Sequence, residues 1–131
     1  MKKLVAFIWM IFFSCCLYAQ KENIQTGTAS FYANKFEGRK TSSGQLFRQD
    51  SLTCAHKTLP FGTKIEVRNL SNDSLVVVTV NDRLPKSSGR VVDLTMRAAR
   101  QLNFVKKGLT KVEIRVLGNK EEEVPTEENQ H

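Results

Sequence analysis

The sequence has few of the residues that build metal sites or covalent nucleophiles. It holds two histidines, His56 and the terminal His131, and three cysteines, Cys15, Cys16 and Cys54. These cannot be drawn into a cluster with metal-ligand spacing, so neither a metal nor another cofactor is expected. There is no Gly-rich phosphate loop and no Ser-centred nucleophile elbow, which excludes nucleotide chemistry of those types and serine-hydrolase chemistry. Long apolar runs are also scarce. One occurs, Leu4 to Phe13, and it is too short for a comfortable membrane span. No second run follows, so the mature protein is expected to be soluble, with no membrane span.

The N-terminus carries the three parts of a secretory signal peptide: Lys2 and Lys3, the apolar run, then small residues leading to Ala19. Cleavage after Ala19 is expected, with export to the periplasm. The alternative is lipidation at Cys15 or Cys16, which would give a membrane-anchored lipoprotein; Phe12 and Phe13 make a poor lipobox. After cleavage at Ala19 only Cys54 remains. No internal disulfide can then form, and Cys54 reads as a small buried hydrophobe. The expected organisation is a signal peptide over 1–19, a short leader over 20–25, one domain over 26–117 and an acidic, disordered tail over 118–131. A monomer is expected.

Charge is unevenly spread. The chain is +7 overall; Gln20 to Leu117 carry 17 basic and 8 acidic side chains, whereas the tail holds one lysine against five glutamates. A basic domain favours an anionic partner. Nucleic acid is the usual candidate, but an exported protein rarely meets it. Peptidoglycan, with its peptide carboxylates, fits better.

Patterning predicts about six short strands and one helix. The strands cover 26–33, 52–57, 64–69, 75–80, 91–94 and 110–117. Leu75 to Val80 is almost continuously apolar and β-branched, the pattern of a strand buried on both faces. Thr95 can cap a helix running to Phe104, which Gly108 is placed to end. Asn34 to Asp50 is a long polar loop, a frequent place for function. Such a set of elements suggests a small barrel; periodicity does not say which one.

Carboxylates are left to carry chemistry. Glu66 and Glu113 alternate with core residues and should face solvent. Asp73 is a turn residue, and Asp93 is expected to make a buried structural hydrogen bond. Glu37 and Asp50 flank the long loop. Asp82 closes the most buried strand. It is either a turn cap in Asn81-Asp82-Arg83 or a partly desolvated carboxyl with a raised pKa, suited to general acid work.

The stretches GTASFYANKFEGRKTSSGQLF, LTCAHKTLPFGTKIEVRNL, VVVTVNDRLP and GRVVDLTMRAARQL, in that order and spacing, resemble the rare lipoprotein A (RlpA) family over about residues 26–117. The resemblance implies a mainly β fold, a six-stranded double-psi β-barrel with one short helix. It implies a peptidoglycan lytic transglycosylase that cuts between N-acetylmuramic acid and N-acetylglucosamine without water. The muramyl C6 hydroxyl attacks its own anomeric carbon and leaves a 1,6-anhydro end. The family's catalytic aspartate falls on Asp82 and a functionally important histidine on His56. The family's second carboxylate is a glutamate, and here that position is Gln45, which hydrogen-bonds but cannot titrate. Substrate contacts are expected from Tyr32, Thr41, Gly44 and Arg83: Tyr32 by stacking on sugar, Arg83 by holding Asp82 ionised or binding a carboxylate. Relatives such as the expansins and barwins supply an alternative, a barrel that binds glycan without cutting it. Many relatives carry a C-terminal peptidoglycan-binding repeat, which the short stretch after the last strand does not lead one to expect.

Overall fold

A computed structural model describes residues 23–118. The expected signal peptide and cleavage site, Cys15, Cys16 and nearly all of the acidic tail lie outside the described residues. Strands run over Ile24–Phe31 (β1), Thr53–His56 (β2), Lys64–Asn69 (β3), Leu75–Arg83 (β4), Val92–Leu94 (β5) and Thr110–Gly118 (β6), with one helix, Met96–Gln101 (α1). They close into a barrel in the order β1-β5-β2-β4-β3-β6. The β1–β5 and β2–β4 pairs are parallel and the others antiparallel.

Alternation fills the interior. Ile65 and Val67 of β3, Val76, Val78 and Val80 of β4, and Val112 and Ile114 of β6 are buried together with Ala29, Cys54, Val92 and Leu94. Ala98, Ala99 and Leu102 bring the helix into the same core. Gly27 lies so close to β5's approach that a Cβ there would come within 2.3 Å of a Val91 methyl, so only glycine fits without movement.

Two sequence expectations need correcting. The strand β4 is not buried on both faces: Leu75 and Val77 are 46% and 42% exposed while Val76, Val78 and Val80 face inward. A closed barrel has one interior, and no described layer covers its outside over these residues. The helix is also shorter than expected. Thr95 caps it as foreseen, accepting the Ala98 N–H at 3.3 Å. The helix stops at Gln101, however, and Asn103 turns the chain at φ 54°. The Leu102 carbonyl accepts from Asn69 Nδ2, Asn72 Nδ2 and Ser74 Oγ. The β3–β4 hairpin thus satisfies the helix end that Gly108 was expected to close.

The site is positioned by β4. It runs past Val80 through Asn81, Asp82 and Arg83, beyond the expected strand end. After an irregularity at Cys54/Ala55, Ala55 pairs with Asp82 and His56 with Arg83. Asp82 is therefore a strand residue, paired across the barrel wall with Ala55.

Candidate active site

The long loop folds back on itself and brings its tip to the end of β4. Phe47 is buried and anchors it; the Gly38 N–H donates to the Phe47 carbonyl and the Phe47 N–H to that of Arg39. Residues 41–45 form a tight turn. The Thr41 hydroxyl donates to the Gln45 carbonyl at 2.7 Å, and Gly44 takes φ 95°, a conformation that favours glycine. The Ser43 N–H then donates to the Asn81 carbonyl at 3.2 Å, docking the turn beside Asp82.

Asp82 is held by three donors. Oδ1 accepts the backbone N–H groups of Ser42 and Arg83, both at 2.9 Å. Oδ2 accepts the Tyr32 hydroxyl at 2.6 Å. Partial burial pushes the carboxyl up, but the hydrogen bonds from Tyr32, Ser42 and Arg83 outweigh it and leave Asp82 below its ordinary range. This overturns the expectation of a raised pKa. Partial burial was read correctly, but the donors arriving from residues 32 and 42 were not visible in a local stretch. Tyr32 shifts the opposite way. Burial, then the bond to Asp82 and its charge, raise the phenol far above normal, so it stays protonated. Two backbone bonds occupy Oδ1. Oδ2 has one partner and keeps acceptor capacity for a substrate hydroxyl.

The other expected site residues divide. Tyr32 is at the site, but its ring lies 4.3 Å from Phe47 and edge-on to Phe36, so one face is covered and its polar end serves Asp82. Gln45 is exposed at the same turn, and its Oε1 accepts from Asn81 Nδ2 at 3.2 Å; it braces the residue before Asp82. Arg83 holds Asp82 through its backbone amide. Its guanidinium stacks 4.1 Å over the Phe61 ring instead of pairing with the carboxylate.

His56 is not brought to Asp82. Its Nδ1 accepts the N–H groups of Thr58 and Leu59, both at 3.1 Å, which fixes Nε2 as the protonated nitrogen facing Gln25 Oε1 at 3.0 Å. Burial, with the charges of Arg83 and Lys57, holds its pKa below normal, so the ring is neutral. A concavity of about 400 Å³ opens beside it, lined by Gln25, Lys57, Leu59, Ile114 and Val116 among others. Asp93 accepts from Ser30 and pairs with Arg90 at 3.1 Å, the structural role expected for it. Cys54 is a free, fully buried thiol. Among the described residues no group of His, Cys, Asp and Glu could hold a metal ion.

Sequence reasoning missed four contributors: Ser42, Gln49, Asn81 and Phe61. Gln49 ties the site together, its Nε2 donating to the Tyr32 carbonyl and to Asn34 Oδ1 while its Oε1 accepts from the Met96 N–H. Nothing local marks it. The tight turn ahead of Gly44 was the available signal for Ser42.

A family profile described as lytic transglycolase matches residues 24–114. The chain belongs to the lytic transglycolase family. Its similarity to curated relatives agrees. It is 45% identical over 96 residues to a probable endolytic peptidoglycan transglycosylase RlpA of Synechocystis, covering 73% of this chain and 30% of that one. It is 44% identical to the endolytic peptidoglycan transglycosylase RlpA of Pasteurella multocida, covering 70% and 31%. The chain thus spans about a third of the length of these relatives. Among solved structures, the lytic transglycolase domain resembles the Streptomyces papain inhibitor (TM-score 0.58, 20% identity, 72% of this chain and 94% of that one). It also resembles the apo expansin of Clavibacter michiganensis (TM-score 0.58, 18% identity, 72% and 50%). At this identity they speak for the fold alone, a double-psi β-barrel.

Proposed function

We propose that this protein is an endolytic peptidoglycan lytic transglycosylase, acting outside the cytoplasm on glycan strands. The observation that carries this is the Asp82 carboxylate, fixed by three donors with one oxygen left receptive, in a chain of the lytic transglycolase family. The names of the RlpA relatives support the substrate class. Among the described residues no helix is long and apolar enough to cross a membrane.

A resting Asp82 held ionised by its donors fits an order in which it accepts a proton first. As the muramyl O6 attacks C1, Asp82 Oδ2 accepts the O6 proton. The C1–O bond to the next sugar breaks, and the same proton passes from Asp82 to the departing oxygen. One carboxyl moves one proton, begins and ends ionised, and no water is consumed. A paired second carboxylate is not required, so Gln45 does not block the reaction. His56 supports the site by fixing the turn at Thr58 and Leu59.

The test is product identity. Peptide-free glycan strands incubated with the protein should yield 1,6-anhydro-muramyl ends by mass spectrometry. Reducing ends would indicate hydrolysis. Binding without any new ends would favour the expansin-like alternative, for which the glutamine at position 45 is the one specific observation.

A further inference from the structure

Arg83 follows Asp82 in β4 and is paired with Phe61, and no part of the reaction above uses that pair. The turn carrying Phe61 is fixed to β4 just ahead of the site. The Gly62 N–H donates to the Val80 carbonyl at 2.8 Å and the Val80 N–H to the Thr63 carbonyl at 2.9 Å. Phe61 is 41% exposed. The Arg83 guanidinium carbon lies over its ring, 4.1 Å from the centroid, and one arm reaches the His56 carbonyl at 3.4 Å. Among the described residues Arg83 forms no ion pair. A guanidinium held on an aromatic face has lost much of the freedom it would otherwise give up on binding, and its remaining N–H groups form a planar fork that matches a carboxylate. The preceding residue is Asp82, so the fork is carried one strand position from the reacting carboxylate.

We infer that Arg83, braced by Phe61, is a specificity residue that binds a carboxylate carried by the muramyl residue of the glycan strand. Two sources share that chemistry: the lactyl carboxylate of a peptide-free muramyl residue and the carboxylates of a stem peptide. This rests on the reading of the protein as one that engages glycan strands. It goes beyond that reading in naming the group recognised and the side chain that recognises it.

Binding is measured on Asp82→Asn protein, so that turnover plays no part, with soluble peptide-free strands, the same strands amidated by carbodiimide and ammonia, and strands bearing stem peptides. Arg83→Gln should weaken binding to carboxylate-bearing strands about tenfold, the size of a charge-assisted hydrogen-bond pair. Amidation of the strands should produce the same loss, and the two losses should not add. A loss confined to peptide-free strands assigns the lactyl group; one confined to peptide-bearing strands assigns the stem. Phe61→Leu, which leaves the charge and frees the guanidinium, should give a smaller loss in the same direction and serves if Arg83→Gln folds poorly. Equal loss on amidated and native strands, or no loss in either variant, overturns the inference while leaving the glycan-strand reading standing. Absence of binding to every strand overturns both.

Discussion

Asp82 and His56 lie one register step apart across the β2–β4 pairing, and the barrel treats them in opposite ways. Asp82 collects its donors from a distant loop and keeps one oxygen available. His56, 4% exposed, spends both ring nitrogens on its own turn and on Gln25. Both would be listed as catalytic from motif alone. The comparison separates a carboxylate with one receptive oxygen from an imidazole whose two nitrogens are both engaged.

The largest effect that would sharpen this contrast is at Asp82. Asp82→Asn keeps shape and acceptor capacity toward the two amides but cannot carry a proton. Formation of anhydro ends should fall about a hundredfold or more, with the melting temperature little changed. His56→Ala should do the reverse. It removes the acceptor of the Thr58 and Leu59 amides and empties the space of a buried ring, so the melting temperature should fall, and activity only as far as folded protein is lost. Thermal unfolding measured beside activity separates the two. A pH series adds a sign. A histidine whose folded pKa is lowered contributes stability above its ordinary unfolded value, about 6.5, and loses it as pH falls through the folded one. Wild type should therefore lose stability on acidification below about pH 6.5, by a component missing in His56→Ala.

Tyr32→Phe is intermediate. It removes the Oδ2 donor while the Ser42 and Arg83 amides remain, so the Asp82 pKa should rise and the turnover rate fall by about tenfold, one charge-assisted hydrogen bond's worth. Gln45→Glu should be the mildest. Gln45 reaches Asn81 from an exposed position, so a carboxylate there acts on Asp82 mainly as a screened charge, and anhydro-end formation should change by less than about fivefold. A hundredfold rise would show that the position titrates with Asp82 after all.

The barrel was legible because its signals are local: alternation in β3 and β6, the Thr95 cap, and turn residues between strands. Three features were not. The outer exposure of Leu75 and Val77 depends on closure, which a single apolar run cannot reveal. The early helix stop depends on Asn69, Asn72 and Ser74, some thirty residues away. The charge state of Asp82 depends on residues 40 and 50 positions earlier. The family motif located Asp82, His56 and Gln45, but only contacts across the fold assign them different work.

The central claim is that Asp82 waits as a carboxylate and accepts a proton first. The most direct test is the pH dependence of kcat/KM for anhydro-end formation on peptide-free strands, in wild type and Tyr32→Phe. The account predicts a plateau through neutral pH, falling only on acidification through the lowered Asp82 pKa, with that acid limb moved to higher pH in Tyr32→Phe. Activity that instead declines as pH rises through the range where Asp82 loses its proton would show that the protonated acid is the working form, and would contradict it.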